Sequence, residues 1–323
     1  MKTIRLGRTN VDVPIISLGT WGHGGPRVAE NGESVGWSGH DDREAKEALV
    51  AAHRAGITHW DTADAYGDGH SETLIGGIWD EVPRHEIFIA TKFGYVVGDS
   101  GHFYEPKFMR AQAERSLRNL RTDVLDLYYF HHCDFGPNDE YFDGALEVMQ
   151  RLREEGKVRF VGLSDWDATR IMRFIERADP DVVQPYRNLV DDDYESSGLK
   201  AYVDAHNLGV AFFSPLKHGL LLGKYDQPVD YGKGDFRSNV DDFRDPAAIA
   251  RYKSAAAAVR ERFSSVSAEP VIHAVTGALL TDNPTACVLL GQRNARQVTA
   301  AAAVGAALSA EDAAWVRGLY RGE

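Results

Sequence analysis

The sequence has 323 residues, 43% hydrophobic and 26% charged, the balance of a globular chain with room for one large domain or two ordinary ones. Its formal net charge of −12 argues against phosphate-backbone binding, and so against nucleic acid as partner, while leaving room for a small basic pocket for one phosphate. Cys133 and Cys287 are the two cysteines and lie in no paired motif, which speaks against a disulfide framework or a structural zinc site and for a reducing compartment. The opening MKTIRLGRTNVDV has no apolar core of signal-peptide length, and no later run approaches a membrane span. A cytoplasmic protein without membrane or obligate protein partners is expected.

In chain order, IRLGRTNVDV reads as a small hairpin. Eight short apolar runs follow: PIISLGTW (14–21), ITHWDTA (57–63), EIFIATKF (86–93), LDLYYFHH (125–132), VRFVGLS (158–164), DVVQPY (181–186), GVAFFSP (209–215) and ACVLLG (286–291). Their near-continuous apolar character is that of parallel strands buried on both faces. Between them lie segments such as DDREAKEALVAAHRAG, PKFMRAQAERSLRNLR, FDGALEVMQRLREEG and DATRIMRFIERA, with apolar residues at helical spacing. Several open on Asp or Ser and close on Gly, as capped helices do. The Ala-rich runs SAAAAVRERF and TAAAAVGAAL read as plain helix formers.

Eight strands alternating with helices over this length predict an α/β fold, a (β/α)8 TIM barrel. The rival is a doubly wound open sheet, but LGTWGHGG after the first barrel strand contains no GxGxxG fingerprint. Two connections exceed ordinary length, residues 22–42 after the first strand and 217–245 after the seventh. No repeat or linker divides the chain, so residues 1–323 are expected to form a single domain.

Nearly every strand ends on a polar residue or glycine: Thr20, Asp61, Lys92, His131, Ser164, Gln184, Ser214 and Gly291. In a barrel, chemistry collects at these carboxyl ends, and a full ring of them is hard to explain by folding needs, because buried polar groups cost free energy unless partnered. Tyrosine is a poor acid at its ordinary pKa near 10. A lysine beside it favours the phenolate, an aspartate holds the lysine charged, and a histidine can donate to a carbonyl oxygen. Asp61, Tyr66, Lys92 and His131 thus form a general-acid set for a carbonyl becoming an alcohol. Asp61 should pair with Lys92, and Lys92 should lower the pKa of Tyr66.

DTADAYGDGHSETLIG, IATKFG, LDLYYFHHCD, VGLSDW, QPYRNL, FFSPLKHGLLLGKY and LLGQRNARQV, in order over about residues 3–305, resemble the aldo-keto reductase family. The resemblance implies a (β/α)8 barrel, NADPH extended across its mouth and reduction of small-molecule aldehydes or ketones, with Asp61, Tyr66, Lys92 and His131 as the catalytic four. It further implies Ser164, Asp165 and Gln184 at the nicotinamide carboxamide and Phe213 stacked on the ring. Ser214, Pro215, Leu216, Gly219 and Lys224 would line the pyrophosphate. Gly291, Arg293 and Gln297 would hold the adenosine end, with Arg293, assisted by Arg237, at the 2′-phosphate. Thr20 and Trp21 would wall cofactor and substrate. The chain departs from the family pattern at Asp165, where Asn is usual and where an ionised Asp can only accept. It departs again at Ala300 and Ala301, where Glu and Asn often touch adenine.

Other readings compete at single positions. Asp61 and Asp64 could cap a turn. His132, next to His131, reads as a pocket wall or a surface residue, and the pair with Asp134 is not a metal site, because adjacent strand residues point to opposite faces. Trp37, Phe93, Phe135 and Trp166 could form an aromatic substrate pocket. Two functional rivals remain open: a Schiff-base lyase with Lys92 as nucleophile, and a non-catalytic nucleotide-sensing subunit of the kind associated with channels in this family.

Overall fold

The computed structural model describes residues 1–29, 32–96, 101–305 and 307–323. Strands β1 (Thr3–Arg5) and β2 (Asp12–Pro14) pair antiparallel as the expected hairpin. Then come β3 (Ile16–Gly19), α1 (Asp42–Arg54), β4 (His59–Asp61), α2 (His70–Gly76), β5 (Phe88–Phe93) and α3 (Pro106–Asn119). The middle of the chain holds β6 (Leu125–Phe130), α4 (Phe142–Glu154), β7 (Val158–Asp165), α5 (Ala168–Ala178), β8 (Val182–Pro185), α6 (Leu199–His206) and β9 (Gly209–Phe212). Helices α7 (Pro246–Phe263) and α8 (Pro270–Leu280) precede β10 (Ala286–Gly291), and α9 (Ala295–Ala302) and α10 (Ala310–Arg321) follow it. Strands β3 to β10 close into a parallel barrel in sequence order, β10 pairing with β3. The closed ring rules out the open doubly wound sheet.

The eight apolar runs are the eight barrel strands. Six of the strands are shorter than their runs, which continue into a loop at one or both ends, whereas β7 extends one residue past its run to Asp165 and β10 matches its run. Side-chain caps start several helices: Asp41 on α1, Asp167 on α5, Asp245 on α7, Asn294 on α9 and Ser309 on α10.

Alternation along the strands sorts the core into two layers. Ile89, Tyr128, Phe130 and Leu163 face the surrounding helices. Phe88, Ala90, Leu127, Tyr129, Val182, Ala211, Cys287 and Leu289 fill the barrel interior, with Leu6 and Val13 of the hairpin packed among them. The hairpin therefore plugs the amino-terminal end, and the carboxyl end carries the opening. The period of two then fixes what reaches that opening. Two positions beyond Ala90 stands Lys92. Two beyond Tyr129 stands His131, and two beyond Val182, Ala211 and Leu289 stand Gln184, Phe213 and Gly291.

The two long connections are joined to each other. Gly36 and Asp235 form a parallel bridge, and Phe236 N–H donates to the Gly36 carbonyl at 2.8 Å. Ser38 donates to Asp235 through both its backbone N–H (2.9 Å) and its hydroxyl (2.5 Å). Together they make a strap across one side of the barrel mouth.

Candidate active site

Lys92 lies at the centre of the site. It stands near the carboxyl end of β5, almost wholly buried, and its Nζ donates to Asp61 Oδ1 at 2.6 Å, the Thr62 carbonyl at 2.7 Å and Tyr66 Oη at 3.2 Å. These three bonds engage all three ammonium protons. Gln184 Nε2 donates to the other Asp61 oxygen at 2.8 Å, so both carboxylate oxygens are held. Asp61 therefore pairs with Lys92, as expected from the sequence. Tyr66 follows a turn that crosses Gly24, where a methyl would sit 2.5 Å from the Gly67 nitrogen; glycine lets the two backbones touch. The Tyr66 ring stacks on Trp21, with centroids 6.1 Å apart at 20°. His131 meets it edge-on at 5.7 Å, with a buried Nδ1 that has no partner among the described residues.

The electrostatics reverse one expectation. Tyr66 is not lowered by Lys92: burial, then the charges of Asp61 and Asp64, push its hydroxyl well above the ordinary value. An ammonium tightly paired with a carboxylate presents little net field to its neighbour. The phenol is thus held protonated. Burial also raises Asp61 and lowers Lys92, and their 2.6 Å contact opposes both shifts. Burial lowers His131 well below the usual imidazole range, keeping it neutral.

Asp64 caps nothing. It is buried, accepts from Gln112 Nε2 at 3.0 Å, and is pushed up to about 8 by burial and then by Glu72. His132 is buried too, its Nε2 against the Gly94 carbonyl. Phe93 and Phe135 lie in the core and so are not pocket residues.

Beside Tyr66 opens a cleft of about 1010 Å³, counting its mouth. Thr20, Trp21, Asp61, Gln184, Phe213, Ser214, Pro215 and Leu216 line its inner half, and Gly219, Lys224, Arg237, Gly291, Arg293 and Gln297 its outer half. Ser164 and Asp165 are buried beside the cleft rather than in its lining. The Asp165 oxygens accept from Cys133 N–H (2.7 Å) and Asp167 N–H (2.9 Å). Ala300 and Ala301 do not line the cleft, and Ala301 is buried in the core.

The outer half is cationic. Lys224 has no carboxylate partner among the described residues, and its pKa is lowered by burial and then by Arg237, Arg293 and Arg296. Arg293 donates to the Ser38 carbonyl at 2.8 Å, and its stem packs on Gly22, where a methyl would lie 2.5 Å from Cδ. Arg237 is already claimed: it donates to Asp235 at 2.9 and 2.6 Å and lies over the rings of Trp37 and Tyr231. Three cations at this end of the cleft, of which Arg237 alone is bonded to a carboxylate among the described residues, suit a multiply charged anion. The residues present therefore fit a nicotinamide dinucleotide.

The sequence reading missed His218, Phe236 and Tyr95. The His218 ring lies 5.1 Å from Phe236 and 6.1 Å from Trp37, and its imidazole is pushed down to about 3 by burial and then by Lys217. Trp166 packs on Phe213 (4.9 Å) and Phe236 (5.4 Å), and Tyr95 lies 4.6 Å from His131. Among the four aromatics expected at the pocket, Trp37 and Trp166 do stand beside the mouth. The available signal for His218 was local: Lys217, His218 and Gly219 all take positive φ, in a segment reading KHGLLLGK.

A closed parallel barrel with a buried Asp–Lys–Tyr constellation at its carboxyl end defines a class of oxidoreductases. The chain belongs to the aldo/keto reductase family, whose sequence model matches residues 15–321. It is 30% identical over 252 residues to the NADH-specific methylglyoxal reductase of Escherichia coli (strain K12), covering 74% of each chain. It is 30% identical over 318 residues to the aldo-keto reductase YhdN of Bacillus subtilis (strain 168), covering 97% of this chain and 91% of that one. Among solved structures it resembles the glycerol dehydrogenase AKR11B4 from Gluconobacter oxydans, with a TM-score of 0.80, 29% identity, and coverage of 98% of this chain and 94% of the other. The protein is an oxidoreductase dependent on a nicotinamide cofactor. No helix among the described residues is long and apolar enough to cross a membrane.

Proposed function

We propose that the protein reduces an aldehyde or ketone with NADPH, Tyr66 donating the proton to the carbonyl oxygen. The observation that carries this reading is the convergence of Asp61, Thr62 and Tyr66 on the one ammonium of Lys92. The bound nicotinamide supplies the hydride. Tyr66, kept protonated by burial, holds its proton until the substrate oxygen becomes negative. As the proton leaves, a phenolate forms 3.2 Å from Lys92 Nζ, which stabilises it at that moment and not before. Asp61 and Gln184 keep Lys92 in place, and neutral His131 offers a hydrogen bond to the same oxygen. With its three protons engaged, Lys92 has no free lone pair for carbonyl attack, which disfavours a Schiff-base lyase. The completeness of the four-residue set disfavours a purely nucleotide-sensing role.

Lys224 and Arg293 favour the cofactor with the extra phosphate. The relatives differ here, one being named NADH-specific and another carrying NADP(+) in its name. Titration of NADPH and NADH by fluorescence, with turnover of a panel of small aldehydes, tests the reading. Tighter NADPH binding is expected. Tyr66→Phe should keep nucleotide affinity while turnover falls by roughly 100- to 10,000-fold. Undiminished turnover in Tyr66→Phe would refute the assigned proton donor.

A further inference from the structure

A second group of ligating side chains lies outside the cleft. The strap ends on His40, and Asp42 is the first residue of α1. Four residues beyond Tyr66, His70 opens α2. His70 Nε2 is 2.8 Å from Asp42 Oδ1, and His40 Nε2 is 3.8 Å from the same oxygen. The three ligand atoms lie within 4.8 Å of one another. A tetrahedral ion with bonds of about 2.0–2.1 Å sets its ligand atoms about 3.4 Å apart. The two measured separations bracket that spacing.

A hydrogen bond accounts for the His70 contact. It does not account for the second imidazole, which at 3.8 Å is outside hydrogen-bond range. The His40 ring rests on Gly25, where a methyl would lie 2.8 Å from Cε1, so the ring is backed by main chain on that side. The three side chains are 34%, 51% and 37% exposed for His40, Asp42 and His70, so an ion can reach them from solvent. The positive end of α1 opposes a cation, but Asp42 and Glu44 in its first turn, with Asp41 at its N-cap, offset it.

We propose that His40, Asp42 and His70 bind one divalent transition-metal ion, zinc fitting best, with water completing the coordination. Two imidazoles and a carboxylate match the borderline character of Zn2+ and disfavour Mg2+ and Ca2+, which take oxygen ligands. The ion ties together two segments that serve the cleft. His40 follows Ser38 and Gly39, whose carbonyls accept from Arg293, and His70 stands in the segment that carries Tyr66. The site does not depend on the reductase reading.

The test uses the full chain after treatment with a chelator and dialysis. Zn2+ is titrated by calorimetry and Co2+ by visible absorption. One ion per chain at micromolar or tighter affinity, with the strong absorption of tetrahedral Co2+, is expected. His40→Ala and His70→Ala should each weaken binding by about 10-fold or more, while His206→Ala, on an exposed helix end, should not. Should His70→Ala fail to fold, judged by circular dichroism, His40→Ala decides alone. Binding only at millimolar metal, or binding equal in His40→Ala and the parent chain, would overturn the proposal.

Discussion

Ser38 and Asp235 stand 197 positions apart in the chain and meet through two hydrogen bonds to a single carboxylate oxygen. Burial opposes the charge of Asp235, yet the bonds from Arg237 and Ser38 hold the carboxyl well below the usual range. Asp235→Ala removes the knot of the strap and leaves the Arg237 guanidinium without its counter-charge. A loss of roughly 1–3 kcal/mol in stability is expected, read as a lower urea midpoint. The freed guanidinium should also speed NADPH association in stopped-flow fluorescence, most at low salt.

The Asp61–Lys92 pair makes a sharper energetic prediction. Lys92→Met strands a buried carboxylate and should cost about 3–5 kcal/mol. Asp61→Asn combined with Lys92→Met should recover a large part of that loss. A double-mutant cycle by chemical denaturation measures the coupling. Additive effects would mean that the two residues do not stabilise each other.

Arg293 and Lys224 are expected to divide the work at the outer cleft. If Arg293 reads the 2′-phosphate, Arg293→Ala should weaken NADPH by about 10-fold or more, on the scale of a charge-assisted contact of 1.5–3 kcal/mol, and leave NADH nearly unchanged. Lys224→Ala should weaken both, since the pyrophosphate is common to them. Fluorescence titration of each nucleotide separates the two outcomes.

Acid should destabilise the fold at mild pH. Burial pushes His23, His59 and His132 down to about 4, and lowers His131 and His218 as well. As pH falls below the ordinary histidine value near 6.5, the unfolded chain takes up protons that the fold refuses, so stability falls. Each such histidine contributes about 1.4 kcal/mol per pH unit. Asp61, Asp64, Glu72 and Asp165 are raised by burial and act in the opposite sense, but these histidines outnumber them. The urea midpoint should therefore drop from pH 6.5 to pH 4.5. Reduction should show no loss of the Tyr66 acid until well into the alkaline range, because that hydroxyl is raised.

The sequence by itself determined the strands, their parallel order and the identity of the residues at their carboxyl ends. Continuous apolar runs admit few alternatives to buried parallel strands, and the period of two carries Lys92, His131 and Gln184 to one mouth once the barrel is closed. The pairing of Asp61 with Lys92 was legible for the same reason. Tertiary structure alone decided what depends on separation in space. It showed that Tyr66 is raised rather than lowered, since burial and the balance of Asp61 against Lys92 are properties of the packed site. It committed Arg237 to Asp235, sent Phe93 and Phe135 to the core, and brought His218 and Phe236 to the rim, because the two long loops have no periodicity from which their path could be read. His40, Asp42 and His70 meet for that reason too: sequence spacing says nothing of a contact made by a loop returning onto two helix starts.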